Sequence, residues 1–145
     1  LMRYVIYKGK EATVPIEEEI QYIEDFIQLQ QLRLHQEIDF TFEKTLEQEG
    51  LPVPPLLFIT FVENAFKHGI EKAEGPAKLG IKLHLQARKL SFEVVNSVET
   101  IAEHAPGIGL ENLKNRLALQ YSGRHEITTQ MDGNQYRAQL KIWDL

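Results

Sequence analysis

Four stretches of this chain switch between apolar and polar side chains at every step, and that alternation limits the possible folds more than any other feature. In residues 37–44, "EIDFTFEK", Ile38, Phe40 and Phe42 face one way while Glu37, Asp39, Thr41 and Glu43 face the other. The pattern returns with Leu79, Ile81, Leu83 and Leu85, with Leu90, Phe92 and Val94, and with Tyr136, Ala138, Leu140 and Ile142. Period two marks a strand buried on one side only. A shorter fifth strand is expected around Ile127. "ARKL" and "MDGNQ" read as hairpin turns, the second around Asp132-Gly133. Strands with one dry face assemble into a mostly antiparallel sheet, and something must cover that face.

Three helical segments can do so. Residues 14–35, "VPIEEEIQYIEDFIQLQQLRLH", place Ile16, Ile20, Ile23, Ile27 and Leu34 along one side, widened by Tyr22, Phe26 and Leu29. Pro15 suits a first turn, and Glu17 to Glu19 complement the positive end of the helix. A second helix is expected from Pro54 or Pro55 to about His68, ending at Gly69. A third starts near Gly109 and turns Leu110, Leu113 and Leu117 inward. The expected class is α+β: a two-layer α/β sandwich, its mostly antiparallel mixed sheet covered on one face by helices, preceded by an N-terminal helical arm.

With 145 residues, 43% of them hydrophobic, the chain can bury one real core. Its formal charge of -5 opposes a nucleic-acid surface, which needs a basic footprint. Without cysteine there are no disulfides, thiolate metal sites or cysteine nucleophiles. No apolar run approaches the length of a membrane span. Leu1 in place of an initiator Met gives the expectation that this is a piece of a longer protein.

Against this background "FITFVENAFKHGI", residues 58–70, stands out. Thr60, Glu63, Asn64 and Lys67 fall on one narrow stripe of a helix otherwise apolar. An Asn oxygen is a hard, neutral ligand suited to Mg²⁺, a neighbouring Glu can orient water or accept a proton, and a Lys can meet a phosphate. A solvated helix face gives the same stripe. In "APGIGLENLKNRL", residues 105–117, Gly107 and Gly109 flank Ile108 just before a helix, where first-turn N–H groups attract anions. The pair fits neither the Rossmann nor the P-loop template, and an ordinary glycine pair in a loop would look alike. Strand parity puts Asn96 on the buried face, where its amide must find a partner, whether a purine edge or the following loop. None of His35, His84, His104 and His125 has a spaced ligand partner. His68, one turn after Asn64, reads as support for the site.

Taken in order, these features resemble the ATP-binding domain of the gyrase, histidine-kinase and MutL superfamily. They resemble most closely the sensor histidine kinases of the LytS/YehU type. The matching residues are "PPLLFITFVENAFKHGI" for the N-box, "SFEVVNS" for the strand carrying the adenine-binding acid, and "GIGLENLKNRLALQY" for the glycine box. "RYVIY" with "VPIEEEIQYIEDFIQLQQLRL" is similar to the segment that follows the phosphoacceptor histidine. The resemblance implies a Bergerat-type fold, with residues 1–36 ending a dimerisation and phosphotransfer region and residues 37–145 forming the catalytic domain. It implies ATP and Mg²⁺ as cofactors and Asn64 as the metal ligand. Lys67, His68 and the backbone at Gly107, Ile108, Gly109 and Leu110 would lie against the phosphates, beneath a lid over residues 98–106. Asn96 would meet the adenine, and Glu63 would act as base or water-orienter beside Asn64.

The family's usual Asp-x-Gly reads Asn96-Ser97-Val98 here, the Gly-Thr near the last hairpin reads Gly133-Asn134, and the phosphoacceptor segment is absent. The chain alone is therefore not expected to phosphorylate itself. The expected partners are a second copy, forming a homodimer in the full-length protein, and a response regulator. Nucleic acid is not expected, and a membrane only through upstream segments of a cytoplasmic domain tethered to an inner-membrane sensor. A degenerate domain signalling by contact without phosphotransfer is the alternative from another class; an ATPase of the same superfamily is a third possibility.

Overall fold

The computed structural model describes residues 12–34, 37–98 and 108–145. His35, His104, Gly107, the "RYVIY" segment and all but Val98 of the expected lid lie outside them. The elements in chain order are β1 (Val14–Pro15), α1 (Ile16–Leu34), β2 (Ile38–Leu46), β3 (Pro52–Val53), α2 (Ile59–His68), a 3₁₀ turn (Ile70–Lys72), β4 (Ala77–Gln86), β5 (Lys89–Ser97), α3 (Ile108–Gln120), β6 (His125–Asp132) and β7 (Gln135–Ile142).

The four alternating segments and the expected fifth strand all join one sheet, in the order β2-β4-β5-β7-β6. Only the β2–β4 pair is parallel; β4–β5, β5–β7 and β7–β6 are antiparallel. The core face follows from strand parity. Leu79, Ile81, Leu83, Leu85, Leu90, Phe92, Val94, Ala138, Leu140 and Ile142 are buried, while their neighbours in sequence reach solvent. The first hairpin turns on Ala87 and Arg88, both at positive φ. The second turns on Gly133 and Asn134, one residue later than the sequence suggests.

The helices lie on the dry face. Phe58 and Phe61 meet Phe92 with ring centroids 4.7 and 5.7 Å apart, joining the start of α2 to the middle of the sheet. Leu110, Leu113 and Leu117 bury the inner side of α3. The arm α1 buries Ile16, Ile20, Tyr22, Ile23 and Ile27, and Phe26 stands edge-on to Phe66 of α2 at 5.6 Å. The ion pairs Arg33–Glu71 (2.6 Å) and Lys44–Glu24 (2.5 Å) add exposed ties that contribute little.

Three local expectations fail. Leu29, assigned to the apolar side of the arm, is half exposed, because two residues beyond Ile27 it turns to the far side of the helix, whereas Leu34 packs against the core. Pro15 is not in the first turn of α1 but pairs with Pro52 in a short antiparallel ladder. Helix α2 begins at Ile59, later than Pro54 or Pro55, because residues 55–58 form turns. Within those turns Leu56 has φ +62°, a left-handed conformation that costs an L-residue roughly 1–2 kcal/mol.

Candidate functional site

Thr60, Glu63, Asn64, Lys67 and His68 project from successive turns of α2 along one edge. They share a cavity of about 190 Å³ with Gly109 and Leu110 of α3. The polar stripe thus has a neighbour as well as solvent: the glycine-led end of α3 stands beside it, while Glu63 and Lys67 stay exposed. A Cβ on Gly109 would come within 3.2 Å of Thr60 Cγ2, so Thr60 would have to give by a few tenths of an ångström to admit one.

Partial enclosure holds the Glu63 carboxyl above the ordinary carboxylate range. The side chain of Asn64 hydrogen-bonds the hydroxyl of Tyr136 on β7. Burial raises that hydroxyl above the usual phenol value, and bonds with Thr129 and Asn64 offset part of the rise. On the other side of Thr60, Glu63 and Gly109 lies a second cavity of about 270 Å³. Its walls include Tyr22 of the arm, Leu56, and Asn112 and Arg116 of α3. Burial, then the nearby carboxylates of Glu63 and Glu19, raise the Tyr22 hydroxyl.

Asn96 is 2% exposed on the core face of β5, as parity predicts, but it does not line the cavity that holds Asn64. It stands behind Gly69. A Cβ on Gly69 would fall 2.1 Å from Asn96 Nδ2, so this glycine is needed for space and not for an unusual φ. The Nδ2 group donates to the Ser97 carbonyl at 3.1 Å, while the buried Oδ1 has no hydrogen-bond partner among the described residues. An acceptor left in that state is costly unless a donor arrives.

The structure therefore brings together Glu63, Asn64, Lys67, His68, Gly109 and Leu110, begins α3 at Ile108, and sets Asn96 one layer away; Gly107 is outside the described residues. The residue-by-residue reading missed Tyr136, Tyr22 and Arg116 as neighbours of the site. One signal for Tyr136 was available. A tyrosine at a core-facing strand position has a hydroxyl that needs a polar partner.

The family model described as "Histidine kinase" matches residues 1–38. A sensor-like histidine kinase of Staphylococcus epidermidis, itself uncharacterized, is 27% identical over 136 residues, covering 83% of this chain and 26% of that protein. Sensor histidine kinase YpdA of Escherichia coli is 29% identical over 133 residues, covering 83% and 23%. Sensor protein LytS of Staphylococcus saprophyticus is 25% identical over 123 residues, covering 75% and 21%. The chain is similar to sensor histidine kinases, LytS among them.

The chain spans about a quarter of the length of those proteins. Among solved structures, the catalytic domain of histidine kinase ThkA superposes with a TM-score of 0.65 at 19% identity, covering 90% of this chain and 94% of that one. Acinetobacter baumannii histidine kinase AdeS gives 0.62 at 13% identity, covering 97% and 72%. The shared fold is that of histidine kinase catalytic domains. A structure of ThkA in complex with response regulator protein TrrA is also similar, with a TM-score of 0.65 at 20% identity, over 99% of this chain and 46% of that one. Among the described residues no helix is long and apolar enough to cross a membrane.

Proposed function

We propose that this chain is the ATP-binding catalytic part of a sensor histidine kinase. It would deliver the γ-phosphoryl group of ATP to a histidine upstream of Leu1 in a homodimer, and thence to a response regulator. The observation that supports this most is the shared cavity of Glu63, Asn64, Lys67, His68, Gly109 and Leu110. A carboxylate, an amide, an ammonium, an imidazole and a helix start are the groups that metal-chelated phosphates need.

In this reading the amide oxygen of Asn64 ligates Mg²⁺, and the bond with Tyr136 orients that amide. Lys67, His68 and the backbone from Gly107 through Ile108 and Gly109 to Leu110 hold phosphate oxygens. Glu63 orients water or takes the proton of the attacking group. Magnesium, when bound, supplies charge neutralisation. The protein supplies position, which is most of what phosphoryl transfer asks of it. The unpartnered Asn96 Oδ1 fits the same reading: it is a buried acceptor awaiting a donor such as the adenine amino group.

Titration calorimetry with a Mg·ATP analogue, comparing wild type with Asn64→Ala, tests the assignment. Loss of at least about tenfold in affinity is expected from losing a metal ligand. No heat from the wild type at millimolar nucleotide would remove the enzymatic reading.

One observation favours a second reading, a domain that binds nucleotide or a partner without transfer. Asn96 carries no charge, and half of its amide is already committed to Ser97. Extending the chain upstream through the acceptor histidine and following label from γ-labelled ATP separates the two. Binding without labelled protein supports this second reading.

A further inference from the structure

The turn before α2 is held from two sides by groups that belong to other helices. Leu56 is left-handed at φ +62°. Among the described residues the other non-glycine positions with positive φ are Ala87 and Arg88, in a hairpin turn, and Asp144, one residue from the C-terminus. Leu56 instead lies in the interior connection and packs against the core. On one side of it, Arg116 Nη2 of α3 donates to the Pro55 carbonyl at 2.7 Å. On the other, the Leu57 N–H donates to Glu19 Oε1 of the arm at 2.9 Å, in a bond that is buried. Glu19 is 1% exposed. A carboxylate that deep is costly to place, and an arm that needed only apolar contact with α2 would carry a hydrocarbon there. Helix α2 has no side-chain cap at Phe58, and the Glu19 bond instead fixes the residue just before it.

We propose that Glu19 and Arg116 are positioning residues that clamp Pro55–Leu57 in the left-handed turn, and that through this clamp the arm helix sets the aim of α2 and its polar stripe. Glu19 lies one turn before Tyr22, which walls the second cavity beside Glu63, and two turns before Phe26, which stacks on Phe66. The arm thus touches α2 before its start, at its middle and near its end. A shift or rotation of α1 removes the acceptor from Leu57. The strain at Leu56 then loses the hydrogen bond that holds it from the arm side, and the turn relaxes toward the ordinary region. Strained backbone of this kind persists only where its surroundings hold it. Two arrangements of the turn give α2 two orientations relative to Gly109, and arm position becomes a control on the cavity.

Hydrogen exchange on the free 145-residue chain tests this without nucleotide. The amides to follow are those of residues 63–68, none of which bonds to Glu19. Glu19→Ala and Arg116→Ala should each speed their exchange by about tenfold or more, the scale expected for loss of a charge-assisted hydrogen bond, with β4, β5 and β7 unchanged. Glu19→Gln keeps an acceptor but gives up the charge, and should exchange at a rate between wild type and Glu19→Ala. Leu56→Gly removes the left-handed penalty, so in the Glu19→Ala background it should return exchange in α2 close to that of Leu56→Gly alone. If Glu19→Ala does not fold, Arg116→Ala with and without Leu56→Gly makes the same comparison.

Unchanged exchange in α2, an equal rise across the sheet, or no rescue by glycine would each overturn the clamp. The link to ligand affinity rests on the nucleotide reading above. A wild type that binds no Mg·ATP analogue would end that reading and leave the exchange result standing.

Discussion

Along β4, β5 and β7 the core-facing positions carry Ala, Leu, Ile, Phe and Val with two exceptions, Asn96 and Tyr136, which are cross-strand partners. The helical layer opposite is built otherwise. It holds a buried glutamate, an arginine bonded to a backbone carbonyl, a left-handed leucine and a polar-walled cavity. The regular layer supplies burial, and the irregular one supplies chemistry at some cost in stability. The two polar positions of the sheet lie where the layers meet: Tyr136 bonds Asn64, and Asn96 backs onto Gly69.

The largest expected effect separates the layers most sharply. Phe92 is fully buried between Phe58 and Phe61, so Phe92→Ala should cost about 3–5 kcal/mol in urea unfolding. Leu119, 87% exposed on α3, should cost under about 0.5 kcal/mol on the same change. Similar losses at both positions would erase the distinction. Next comes the seam. Gly69→Ala drives a methyl into Asn96 Nδ2 and should cost about 1–3 kcal/mol. Pairing it with Asn96→Ala should recover part of that, and full additivity in a double-mutant cycle would mean that the two do not press on each other.

A smaller effect belongs to Tyr136. Tyr136→Phe removes one hydroxyl shared with Asn64 and Thr129 and should lower stability by about 1 kcal/mol. If Asn64 holds the cation as proposed, it should weaken Mg·nucleotide binding more than metal-free binding. Equal weakening of both would detach Tyr136 from the metal ligand.

The smallest effect is a pH dependence. Enclosure keeps the Glu63 carboxyl above its ordinary value, so the native state holds that proton to a higher pH than the unfolded chain does. Its contribution is complete below the unfolded-state pKa and is lost as pH rises through the raised one. The stability of wild type relative to Glu63→Gln should therefore fall as pH rises from the ordinary carboxylate range. A relative stability that increased over that window would place Glu63 in the opposite environment.

The sheet was legible because its rule is local. A residue's parity along a strand decides its face, and Phe92, Leu140 and even Asn96 could be assigned by counting. The α2 stripe was legible for the same reason, since Thr60, Glu63, Asn64 and Lys67 share one edge at helical spacing. What faces that edge was not. Gly109 against Thr60, Tyr136 beneath Asn64 and the displacement of Asn96 behind Gly69 depend on how layers stack, and no periodicity records that.

By itself, then, the order of residues determined which segments form the five-stranded sheet and the three helices, which side of each strand is dry, and which polar groups stand out of pattern. Those properties depend on a few neighbours along the chain and on the geometry of one element. Only the tertiary structure decided that Glu17 caps Gly50 (3.0 Å) while Glu19, two residues on, reaches Leu57. From sequence all three glutamates suited the first turn of α1. The burial and hydrogen bonding that distinguish them come from segments more than thirty residues away.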